Sequence, residues 1–179
     1  MKRDELIQEF IERTIEATKE LFVSMEGKYF APMVHVLSHT EGDAPVCQTV
    51  QIPMDFLRSG ATKDLLADIV IPGIIRKFSD VVAVAFVSDS WLTTMKQEQY
   101  DQVPKESRGD IDRLTVATKT EKQSCLMFNF STYSKSILIY QLYDTVGGRV
   151  MFTKRIDDMK MDKHRSRFAN LLKPDPQNN

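Results

Sequence analysis

Asp89 and Trp91 follow directly on the apolar run Val81 to Val87, and the pair Asp112-Arg113 closes a polar stretch that begins at Lys96. Side chains alternate along an extended strand, so Asp89 and Trp91 share one face. Two carboxylates meeting at a strand end, Asp89 and Asp112, would suit a divalent cation or a general base, the chemistry of a metal-dependent hydrolase or nuclease. A structural alternative uses the same residues. Arg113 and Asp89 form a charge-assisted pair that closes the polar loop, and Trp91 packs over the arginine stem. We take this as the default: Asp89 and Asp112 are the candidate catalytic positions, and Trp91 and Arg113 the candidate binding positions.

Other chemistries fit less well. His35 and His39 are four residues apart, a metal-binding spacing on a helix, but on a strand four residues span roughly 13 Å. No metal site is therefore expected. Ser88 and Ser90 flank Asp89 without the Gly-x-Ser-x-Gly elbow of a serine hydrolase. Glu121-Lys122 lacks the intervening residue of a nuclease acid-x-Lys motif and falls in turn-like sequence. Neither a G-x-G-x-x-G turn nor a P-loop is present, which removes those nucleotide cradles, and no cofactor is expected. Cys47 and Cys125 have no paired spacing, so they read as free thiols in a reducing cytoplasm, each a small buried hydrophobe. The C-terminal segment with Lys163, Arg165 and Arg167 is the best nucleic-acid candidate, but Asp157, Asp158 and Asp162 dilute its charge.

The elements that must position these residues follow from hydrophobic period and turn chemistry. Leu6, Ile7, Phe10, Ile11, Ile15, Leu21, Phe22 and Met25 fall at helical spacing in an otherwise Glu-rich segment, with Asp4 and Glu5 at the positive end of the dipole and Gly27 as a stop. Residues 30–38 and 46–52 read as strands joined by the turn Glu41-Gly42-Asp43-Ala44-Pro45. A second helix is expected from about Thr62, as N-cap, to Phe78, kinked or broken at Pro72-Gly73. The strand at 81–88, apolar throughout from Val81 to Val87, reads as covered on both faces. Further strands are expected at 113–119, pairing with 81–88, and at 124–131, 136–143 and 149–155. Thr120–Gln123 and Gly147-Gly148 serve as hairpin loops. A last helix is expected from Asp162 to Leu172, followed by a flexible tail, 173–179.

Length and composition complete the outline. The 179 residues, 42% hydrophobic and 27% charged, suit one domain, 1–172, with its own core. The fold class is α+β: a mostly antiparallel sheet of about six to seven strands, with N-terminal, central Pro-kinked and C-terminal helices packed on it. The net charge of −1 argues against nucleic acid or an anionic membrane as obligate partner. Charge is uneven, at −4 over residues 1–60 and +3 over 150–179. These ends read as solvated helical faces, or as surfaces that meet within or between chains.

The stretch Val84-Ala85-Phe86-Val87-Ser88-Asp89-Ser90-Trp91, a polar loop containing Pro104, and then Asp112-Arg113-Leu114-Thr115-Val116 resembles a pattern in a group of small uncharacterised bacterial and bacteriophage proteins. There a hydrophobic strand ends in Ser-acid-small-Trp, and a loop leads to Asp-Arg-x-x-x-Val. This chain departs from it with Asp89 where Glu is usual and with a Lys-rich loop. The resemblance covers about residues 62–120 and implies a microbial origin and one continuous domain. It brings no catalytic residue with it. The expected function is a non-enzymatic protein-binding domain or homo-oligomer; the alternatives are the carboxylate hydrolase and the weak nucleic-acid binder.

Overall fold

In a computed structural model the described residues are 2–93, 95–105, 111–157, 168, 171 and 172. Helix α1, Arg3–Ser24, forms where the apolar spacing places it: Leu6, Ile7, Phe10, Ile11, Ile15 and Phe22 are buried along one side. Glu9 and Arg13, one turn apart on the outer side, form an ion pair at 2.6 Å. The helix ends in a Schellman turn, with Glu26 N–H donating to Val23 C=O and Gly27 N–H to Phe22 C=O, both at 2.9 Å. The left-handed position is taken first by Glu26, φ 54°. Gly27, φ 68°, is needed for a second reason: a Cβ there would come within 2.9 Å of Val150 Cγ2.

Strands β1 (Met33–Ser38) and β2 (Val46–Gln51) form the expected hairpin across the Glu41–Pro45 turn. A 3-10 turn, Met54–Leu57, leads to a helical segment of three parts: α2 (Gly60–Leu65), a π-turn (Leu66–Val70) and α3 (Ile71–Ile75). Its N-cap is Ser59 rather than Thr62, with Thr62 N–H donating to Ser59 Oγ at 3.1 Å. The break expected at Pro72 is this π-turn. Proline has no N–H and crowds the preceding turn, and the widened turn before it, closed by Ile71 N–H on Leu66 C=O, makes room.

Strand β3, Val81–Leu92, runs five residues past its apolar stretch, which ends at Val87. Helices α4 (Gln97–Asp101) and α5 (Ile111–Thr118) follow, then the meander β4 (Gln123–Ser131), β5 (Ser136–Val146) and β6 (Arg149–Asp157). The strand expected at 113–119 is helix α5. Leu114, Thr115 and Thr118 are buried on one helical side while Val116 is 80% exposed, a period that a strand cannot produce. The two threonine hydroxyls turn back onto helix carbonyls: Thr115 Oγ1 to Asp112 C=O at 3.0 Å, Thr118 Oγ1 to Leu114 C=O at 2.7 Å. Thr120–Gln123 therefore joins a helix to a strand, and the sheet has six strands, within the six to seven expected.

All pairings are antiparallel, in the order β2-β1-β3-β4-β5-β6. β3 is central and covered twice. Ala83, Ala85 and Val87 pack under α1, while Val84 and Phe86 pack under the π-turn and α3. The helices thus lie on both faces of the sheet. Phe168, Leu171 and Leu172 are buried on the second face, with Phe168 stacked on Phe86 at 4.1 Å. They lie in a turn and a bend, so the last helix does not extend to Leu172. The remainder of that expected helix and the tail fall outside the described residues.

Candidate functional site

Asp89 and Trp91 point to the α1 face of β3, as alternation requires. Asp89 stands opposite Leu126 of β4, and its carboxylate accepts from Tyr143 Oη of β5 at 2.8 Å. The residue is open to solvent on one side, yet burial on the others raises its pKa, against the opposing pull of the Tyr143 and Ser90 hydrogen bonds. Burial, with the bonded carboxylate adding to it, likewise raises Tyr143 and keeps the phenol protonated. Behind it Tyr143 meets Phe22 edge to face at 4.9 Å, so the polar pair sits at the end of the aromatic core.

Asp112 is held elsewhere. With residue 113 in a helix, Arg113 is not a strand neighbour of Asp89, and the expected Arg113–Asp89 pair is replaced by the Tyr143–Asp89 bond. The Asp112 carboxylate forms an ion pair with Lys122, whose Nζ also lies 5.0 Å from the Trp91 ring centroid. Trp91 is 54% exposed and thus packs on a lysine rather than on Arg113. Thr93, Thr118 and Thr120 link their hydroxyls at 2.9 and 2.8 Å, and Gln99 Nε2 donates to Thr118 C=O at 3.3 Å, so α4 and α5 close against the strand end. Three of the four candidates thus fall into two separate contacts, Asp89 with Tyr143, and Asp112 and Trp91 with Lys122. Among the described residues no three His, Cys, Asp or Glu side chains gather as a metal-binding group. Lys163, Arg165 and Arg167 lie outside the described residues, as does His164.

The other polar cluster was not singled out by spacing. A cavity of about 280 Å³ opens between α1 and the β1–β2 hairpin, with Leu6, Phe10, Leu37, His35, Cys47 and Thr49 among its walls. Register explains this: His35 stands opposite Thr49, and Leu37 opposite Cys47. His35 Nδ1 is 2.8 Å from Thr49 Oγ1, while Nε2 is buried with no partner among the described residues. Burial lowers the His35 pKa to about 4, so the ring is neutral near pH 7. Cys47 is an exposed thiol rather than a buried hydrophobe, and the protein around it raises its pKa. Cys125 is buried and pushed up to about 12. Neither is poised as a nucleophile.

The cleft borders the open side of β2. This strand, Val46-Cys47-Gln48-Thr49-Val50-Gln51, has no charged residue, and its side chains are exposed apart from a half-buried Val50. At the opposite edge β6 carries Arg149, Lys154, Arg155 and Asp157. Charge is the usual protection of a sheet edge, and β2 lacks it. The signal that could have found this edge was present in the chain: an uncharged strand bracketed by Pro45 and Pro53.

No protein-family model, curated protein or solved structure matches this chain. No helix among the described residues is long and apolar enough to cross a membrane. What the fold and site define is a class: an α+β domain with a six-stranded antiparallel sheet, helices on both faces and one uncharged edge.

Proposed function

We propose that this protein acts by binding protein, as a self-associating domain, and not by catalysis. The observation that carries the reading is the bare β2 edge, a row of strand backbone beside exposed uncharged side chains such as Val46, 50% exposed. Strand backbone of this kind recognises another strand. A reducing compartment suits the two free thiols, and the resemblance to small bacterial and bacteriophage proteins supports a microbial setting. No observation favours an ion at Asp89 and Asp112, whose carboxylates face different partners. The C-terminal basic segment, the nucleic-acid candidate, lies outside the described residues.

Sedimentation velocity from low to high micromolar protein tests the proposal. The expected result is a monomer–dimer equilibrium that shifts with concentration, since a six-residue edge is shorter than the contact of a permanent assembly. A single monomer species across the range would overturn it.

A further inference from the structure

From the backbone of β2 we infer that the second molecule is another copy of this chain, joined edge to edge in one register: Thr49 opposite Thr49 of the second copy. The inference rests on the self-association proposed above and adds the surface and the alignment.

The ladder determines which groups point outward. Ile52 N–H donates to Pro32 C=O at 2.7 Å, so the even positions of the 46–52 segment bond to β1. His39 N–H donates to Asp80 C=O at 3.0 Å, which assigns the odd positions of β1 to β3 and agrees. Cys47, Thr49 and Gln51 therefore direct their N–H and C=O away from the sheet, and these groups meet no backbone partner among the described residues. Pro45 and Pro53, which continue the same alternation at the two ends, have no N–H to offer. The open ladder is three residues long and closed at both ends.

That arrangement is symmetric about Thr49. In an antiparallel pairing centred there, Cys47 faces Gln51 of the second copy, Gln48 faces Val50, Val46 faces Ile52, and Pro45 faces Pro53. Each outward pair exchanges two N–H···O bonds. No charge meets a like charge, and Thr49 meets a threonine, a favourable cross-strand pair. The prolines fall opposite each other where the ladder stops, so the contact is a closed two-fold rather than a growing stack. The axis stands normal to the sheet, which keeps both α1 helices on one face and places the two clefts on either side of the seam.

Gln51→Cys tests the register. Directly opposed residues in such a pair are about 5.5 Å apart at Cα, within the range a disulfide spans. Mild oxidation should convert this variant to a covalent dimer through Cys47 of the other copy. The wild type should remain uncrosslinked, because in this register its Cys47 residues are four positions apart, roughly 13 Å, and Cys125 is buried. Cys47→Ser/Gln51→Cys should also fail to crosslink. Thr49→Pro removes the central outward N–H without breaking a bond to β1, and should leave a folded monomer by circular dichroism and sedimentation. A non-covalent dimer that persists in Thr49→Pro and does not crosslink in Gln51→Cys would overturn the β2 register while leaving self-association intact. Monomers in every experiment would overturn both.

Discussion

His35 sits in an environment that departs from water-like behaviour with a measurable consequence. Its pKa is about 4 in the fold, set by burial, against about 6.5 in an unfolded chain. Between those values the unfolded chain holds a proton that the folded chain does not. Stability is therefore full above about pH 6.5 and falls as pH drops toward 4, by up to about 3 kcal/mol. Urea denaturation across this range should show a steeper pH dependence for the wild type than for His35→Asn; equal slopes would place the ring in water. The Thr49 contact is compatible with either neutral tautomer, so the imidazole serves as a hydrogen-bonded wall of the cleft. Asp89 behaves in the opposite sense. Its raised pKa favours the protonated fold, so its contribution is lost as pH rises through the carboxylate range.

At the scale of elements, the ends and breaks of helices carry the information. α1 stops in a Schellman turn whose first left-handed residue is Glu26, with glycine one place later. A side chain at positive φ is strained where glycine is not. Glu26→Gly should raise stability by about 0.5–1 kcal/mol, read as a higher urea midpoint at unchanged m-value, after allowance for its exposed ion pair with Lys28, which is worth little. No such gain is available at Gly27, where Val150 occupies the space a Cβ would need. α5 shows how composition misleads over a short span. Leu-Thr-Val-Ala-Thr has the β-branched content of a strand, yet its buried positions recur at helical spacing and its threonines satisfy helix carbonyls.

Across the whole molecule, the last strand is tied to the first helix. Arg155 of β6 grips Glu12 of α1 with its two terminal guanidinium nitrogens, at 2.8 and 3.0 Å, and pairs with Asp157 through Nε. The arginine holds the Glu12 carboxyl below the usual range. One acidic residue of the start of the sequence is thus neutralised by one basic residue of β6 within the same chain. Arg155→Lys keeps the charge but loses the fork, and should cost about 0.5–1 kcal/mol for this half-exposed pair, less at high salt. Thermal denaturation at two salt concentrations measures it; an unchanged melting temperature at both would make the pair ornamental. The same contact ties the charged edge β6 to α1, while β2 at the other edge carries no charged residue.

Much of the architecture could be read from local pattern. The unbroken apolar run of β3 implied burial on two faces, the Glu41–Pro45 and Gly147-Gly148 turns implied hairpins, and the spacing in α1 and in the segment from about Thr62 to Phe78 implied amphipathic helices. These are short-range signals, and the structure keeps them. Which strands became edges, what Asp89 bonds to and whether 111–118 turned helical were settled only by the tertiary structure. Tyr143 lies 54 residues from Asp89, and Glu12 lies 143 from Arg155. Such pairings depend on sheet order and register, which arise from the simultaneous burial of two faces and leave no periodic trace in any one segment.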